Sequence, residues 1–117
     1  MSDQFVPALL YLVAAFVGAI GQYAYKIGGN QLGKVPLYLN YPLFLGILLF
    51  CLVMVLFVAS FKMGGRISVV YPIYATTFIW GTLLGVFIDK EQVSPAQIVC
   101  TLLVVLGAGG VAFFAPR

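Results

Sequence analysis

Residues 42–61 read PLFLGILLFCLVMVLFVASF, an unbroken run without one charged side chain. At about 1.5 Å of rise per residue, a helix over this run covers the roughly 30 Å of a bilayer's hydrocarbon layer, so it reads as a transmembrane span. Pro42 suits the first turn of such a helix, where a missing N–H leaves no hydrogen bond unmade. The run closes on Lys62-Met63-Gly64-Gly65-Arg66, a turn with charge at both ends.

Working outward, residues 5–25 form a second apolar run, which ends at Lys26, and Gly28-Gly29-Asn30 is expected to break the helix there. A loop then covers 27–41. On the other side, residues 67–88 form a span containing Pro72, which is tolerated in a membrane where neighbours satisfy the freed carbonyl and which predicts a bend. After Asp89-Lys90-Glu91-Gln92, Ser94 and Pro95 make an N-cap and first-turn pair for a last span over 95–114. The expected fold is therefore all-α: a four-transmembrane-helix bundle in a single membrane domain, residues 1–117, with spans 5–25, 42–61, 67–88 and 95–114.

Composition agrees. The 117 residues are 63% hydrophobic and 8% charged, with a mean hydropathy of +1.13. Four spans use about 80 residues, which leaves no room for a catalytic domain. Met1-Ser2-Asp3-Gln4 lacks a basic n-region and the apolar run behind it is longer than a signal peptide's, so the first span is expected to be retained. The net charge of +3 comes from basic residues scattered over helix ends. Anionic lipid headgroups are the expected counterpart, and no nucleic acid is expected as a partner. Cys51 and Cys100 sit in apolar runs of a chain without histidine, so buried, inert thiols are expected, with no metal and no cofactor. No nucleophile and base, metal cluster or phosphate loop can be assembled, and no enzyme activity is expected.

An even number of spans puts both termini on one side. Lys62, Arg66 and Arg117 then face Lys26, Lys34 and Lys90 across the membrane, so the charge rule allows either orientation and an antiparallel dimer. Setting Lys26 aside as partly intramembrane favours termini inside.

In span one, Tyr11, Ala14, Gly18, Gln22 and Tyr25 recur at helical spacing as a polar, slender stripe expected to turn inward. Lys26 follows one turn on, either snorkelling to the interface or projecting into a hydrated cavity as an anion-binding charge. Span three offers Tyr71, Tyr74, Phe78 and Gly81, with Thr77 and Trp80 nearby; tyrosine hydroxyls beside a bent turn suit a substrate groove. Lys62 and Arg66 stand at the opposite mouth. Small residues let helices approach in lipid, so Gly81 and Gly85, and Gly107, Gly109 and Gly110, mark packing faces, either within the chain or between two copies through span four. Asp3, Asp89 and Glu91 are the only acids and none falls inside a span. Asp89 and Glu91 are expected in the loop, pairing with Lys90 or the start of span four.

Gly21-Gln22 with Lys26, Tyr71-Pro72 with Trp80, and Glu91 through Ser94-Pro95 to Gly107 together resemble the drug/metabolite transporter superfamily. Its four-span members include the small multidrug resistance transporters and the EamA-like subunits that flip undecaprenyl-phosphate-linked aminoarabinose. Small multidrug resistance proteins carry a glutamate in the first helix where this chain has Gly18. The flippase subunits lack it and share the Gly-Gln and Lys pattern, so they are the closer resemblance; Thr101 stands where a glycine is common. The resemblance implies a small multidrug resistance-like fold working as a homodimer, or as a heterodimer with a sister four-span subunit. It also implies a prokaryotic inner membrane and a lipid flippase activity in which Gln22, Lys26, Tyr71 and Tyr74 line the path. The alternatives are an exporter of small metabolites or cationic drugs, with Tyr71, Tyr74 and Trp80 in contact with substrate, and a non-transporting subunit of a larger complex.

Overall fold

The computed structural model describes residues 4–116. Asp3 and Arg117, both used in the charge argument, lie outside the described residues. The described residues form helices joined by short loops, with no strand among them: α1 (Phe5–Gln31), α2 (Tyr41–Lys62), α3 (Ile67–Ile73), α4 (Thr77–Phe87) and α5 (Pro95–Phe113). A 3₁₀ turn, Tyr74–Thr76, joins α3 to α4, so Ile67–Phe87 acts as one interrupted span. Four helices are thus long and apolar enough to cross a membrane, as a multi-pass membrane protein requires.

The first span is longer than expected. Gly28-Gly29-Asn30 does not break α1, which continues to Gln31. Gly28 lies against the start of α2, where a Cβ on it would meet the Leu43 backbone nitrogen at 2.7 Å. The buried Asn40 links the two helices: its Nδ2 donates to Gly28 O at 2.9 Å, and its Oδ1 caps α2 by accepting from Leu43 N at 3.4 Å. Packing against α2 outweighs a glycine's helix penalty of about 1 kcal/mol.

The same economy of volume runs along the α1/α2 contact. A Cβ on Gly21 would meet the Phe50 ring at 2.8 Å, and one on Gly46 would meet the Tyr25 ring at 2.6 Å. Each glycine makes room for a ring from the other helix, and the two rings stack at 5.1 Å with planes 3° apart. Tyr25 therefore faces α2. Toward the terminal end, Tyr11 stacks on Phe57 at 4.6 Å, and Phe57 meets Tyr74 edge-on at 5.3 Å. Ser60 Oγ donates to Pro7 O at 3.1 Å. Gln4 clasps the α2–α3 turn, donating to Gly64 O and accepting from Arg66 N. Gly64 is left-handed there, with φ +96°, a conformation that costs glycine little.

α5 begins as expected: Ser94 accepts from Gln97 N, and Pro95 is the first helical residue. Among the described residues, nothing lies within 4 Å of where a Cβ on Gly107, Gly109 or Gly110 would stand, so of the two expected roles for these glycines, close packing inside the chain is not the one observed. α5 rests mainly on α3 and only lightly on α4. Cys51 and Cys100 are exposed, not buried, because an apolar residue of a membrane helix satisfies itself by facing lipid as readily as by facing a core. The Cα trace measures 52 × 37 × 16 Å, a slab too thin to enclose a large cavity.

Candidate functional site

A groove runs between α1 and α4. Small residues keep it open: Ala19 floors it from α1, and Gly81 lies on its α4 side, where a Cβ would meet nothing within 4 Å. Gln22, Tyr74, Thr77 and Gln97 bring amide and hydroxyl groups to its lining, and its volume is about 360 Å³. A continuation of about 150 Å³ leads past Gln22 to Tyr23 and Lys26. From Gly18 to Lys26 the groove follows roughly 12 Å of helix.

At the deep end Tyr74 reaches α1, and Gly18 leaves space for it: a Cβ on Gly18 would collide with the Tyr74 hydroxyl. A glutamate at this position would have to displace Tyr74. At the loop end, the chain between α4 and α5 folds back over α1. Lys26 Nζ donates to Asp89 Oδ2 and to Glu91 Oε2, both at 2.5 Å. Tyr23 Oη donates to Asp89 Oδ1 at 2.7 Å. Lys90, between the two acids, has φ 59°, the left-handed turn that lets Asp89 and Glu91 face the same ammonium. Glu91 N donates to Gly85 O at 2.9 Å, and a Cβ on Gly85 would meet Glu91 Oε1 at 2.6 Å, so Gly85 seats a loop carboxylate.

This overturns the local pairing expected of the acids. Asp89 and Glu91 pair with Lys26, at the far end of the chain's first span, so Lys26 carries two carboxylate partners. The Lys26 ammonium, helped by the Tyr23 hydroxyl, holds the Asp89 carboxyl below its ordinary value. One ammonium against two carboxylates leaves the cluster with an excess of negative charge.

Of the residues singled out in the sequence, the structure brings Gln22, Lys26 and Tyr74 to the groove, with Gly81 and Gly85 along it. Tyr71 points elsewhere and is exposed. Trp80 packs edge-on against Phe16 at 5.0 Å and does not line the groove. Lys62 and Arg66 lie at the other end of the slab, where Arg66 Nη1 donates to Pro116 O. Gly107 and Gly110 are remote from the site. Sequence reasoning missed Tyr23 and Gln97; the signal for Gln97 was a polar side chain in the first turn of an otherwise apolar span.

No family model, curated protein or solved structure matches this chain.

Proposed function

We propose that this chain is a transporter subunit of the flippase kind, passing a polar, lipid-linked headgroup along the α1/α4 groove while the hydrocarbon tail stays in the bilayer. The observation that carries this reading is a row of hydrogen-bonding residues, Gln22, Tyr74, Thr77 and Gln97, with the Lys26-paired Glu91 at its loop end, in a groove on helices long and apolar enough to span a membrane. Amides and hydroxyls in a low-dielectric surrounding suit sugar hydroxyls, which can both donate and accept. A phosphate on the same molecule would compete with Asp89 and Glu91 for Lys26, and its arrival would loosen the loop from α1. Since one slab cannot wrap a headgroup, a second copy or a sister four-span subunit supplies the facing wall. In this reading the chain works in a prokaryotic inner membrane, without cofactor and without chemistry of its own.

The test is native mass spectrometry of the purified protein with an undecaprenyl-phosphate-linked sugar, comparing wild type with Gln22→Ala and Lys26→Ala. Selective binding lost in both variants sustains the reading; no binding, or binding indifferent to both changes, removes it.

A second reading, export of small cations, is favoured by the excess carboxylate beside Lys26. The two readings differ in sign. Lys26→Ala strengthens binding of a cationic compound by leaving two uncompensated carboxylates, and weakens binding of a phosphate-bearing one.

A further inference from the structure

A second cavity, of about 260 Å³, opens between α4 and α5, walled by Leu83, Val86 and Phe87 on one side and Ile98 and Leu102 on the other. It exists because α5 leans on α3, so that its loop-side half stands off α4. Thr82 and Thr101 also face it, yet neither adds polarity. Thr82 Oγ1 donates to Phe78 O at 2.7 Å, and Thr101 Oγ1 donates to Gln97 O at 3.0 Å, one turn back in each case. With both hydroxyls engaged inside their own helices, the cleft offers only carbon.

A lipid chain can fill any apolar cleft in a membrane. What distinguishes this one is where it starts. Thr82 lines both the cleft and the polar groove, and Gln97, in the groove, is followed by Ile98, in the cleft. The polar lining therefore gives way to a purely apolar one across a single side chain. A molecule whose polar end lies among Gln22, Tyr74 and Gln97 has its next carbons at the entrance to the cleft.

We propose that the α4/α5 cleft is the subsite for the hydrocarbon chain of the same amphiphile whose polar group occupies the α1/α4 groove. The inference rests on the transport reading above and adds to it a place for the tail against protein. The site then selects head and tail jointly, with Thr82 at the junction.

The experiment uses the full chain in phosphatidylcholine vesicles, with its only native tryptophan removed by Trp80→Phe. Phe87→Trp places a reporter in the cleft, and Phe113→Trp places one on lipid-facing α5 as a control. Two probes are compared at the same low mole fraction: a glucosyl diacylglycerol with acyl chains brominated near the headgroup, and phosphatidylcholine with the same chains. The expected result is several-fold stronger quenching by the glycolipid at the cleft reporter, equal quenching at the control, and loss of the excess in Gln22→Ala. Thr101→Phe, which fills the cleft, lowers glycolipid binding by roughly tenfold in native mass spectrometry. Equal quenching by both probes, with Gln22-dependent glycolipid binding intact, overturns the tail subsite and leaves the transport reading standing. Absence of Gln22-dependent binding overturns both.

Discussion

The α1/α2 hairpin and the α4/α5 pair are built from similar apolar residues, yet they pack in opposite ways. In the hairpin, Gly21, Gly28 and Gly46 each stand where a Cβ would collide with the neighbouring helix. In α5, Gly107, Gly109 and Gly110 stand in open space, and the helix leaves a cleft beside α4. Of the most apolar stretch, 39% is buried in α1 but 6% in α5. Lipid offers no hydrophobic drive for helices to associate, so the difference lies in shape. The hairpin has the close fit that holds helices together in hydrocarbon, and the second pair keeps its surfaces free. Tight packing thus belongs to the first pair of helices and open surface to the second, with α1 contributing to both the hairpin and the groove beside α4.

The strongest way to break this comparison is to add volume to both pairs. Gly28→Leu is expected to cost about 1–3 kcal/mol, because backbone is what its side chain would strike. Gly107→Leu is expected to leave monomer stability unchanged or raise it by up to about 1 kcal/mol, through helix propensity alone. Thermal unfolding in detergent measures both; equal losses would mean that α5 is packed as tightly as the hairpin. Next in size is Asn40→Ala, which removes a helix cap and a buried bond to Gly28 O, for a loss of about 1–2 kcal/mol. Asn40→Asp keeps the cap acceptor but sets a buried carboxylate against the Gly28 carbonyl oxygen, so its midpoint should fall at or below that of Asn40→Ala.

A smaller effect sharpens the comparison at the loop. The Asp89 carboxyl is held below its ordinary value, so its bond to Lys26 adds stability above the unfolded value near 4 and loses it as pH falls through the depressed one. Amide exchange of residues 88–94 is expected to speed up over that acidic window in wild type. In Lys26→Met it should be fast on both sides of the window; a pH step that survives this substitution would show that another group holds the loop. Smallest of all is Thr101→Val, whose lost hydroxyl bonds only its own helix; a change within about 0.5 kcal/mol is expected in the same melting experiment.

The four spans were legible because each is an uncharged run flanked by charge or by turn residues, a signal that needs no tertiary information. The Ser94-Pro95 start of α5 was legible for a similar local reason. What escaped was whatever depends on a distant neighbour. Gly28 looks like a helix breaker until Leu43 is seen against it. Within the chain, close helix packing falls to Gly21 and Gly46 rather than to Gly107 and Gly110, and no periodicity separates the two sets. Of the candidate site residues, Gln22 and Tyr74 were visible as polar positions on apolar helices. Tyr71 and Trp80 share the span of Tyr74 but do not line the groove, a distinction the sequence does not reveal. The acids were located correctly in the loop, but their partner lay in the first helix.

The clamp at Lys26 also has a meaning in time. During synthesis the first helix emerges with an unpaired ammonium at its end, and its two carboxylates follow only after the third span has been made. While α1 chooses its orientation, Lys26 therefore counts as a full positive charge in the rule that governs insertion. Once Asp89 and Glu91 arrive, much of that charge is cancelled and the loop closes over it. The same residue is thus a free charge in the nascent chain and the anchor of the α4–α5 loop in the finished one, so a substitution at Lys26 is expected to act on insertion as well as on the loop.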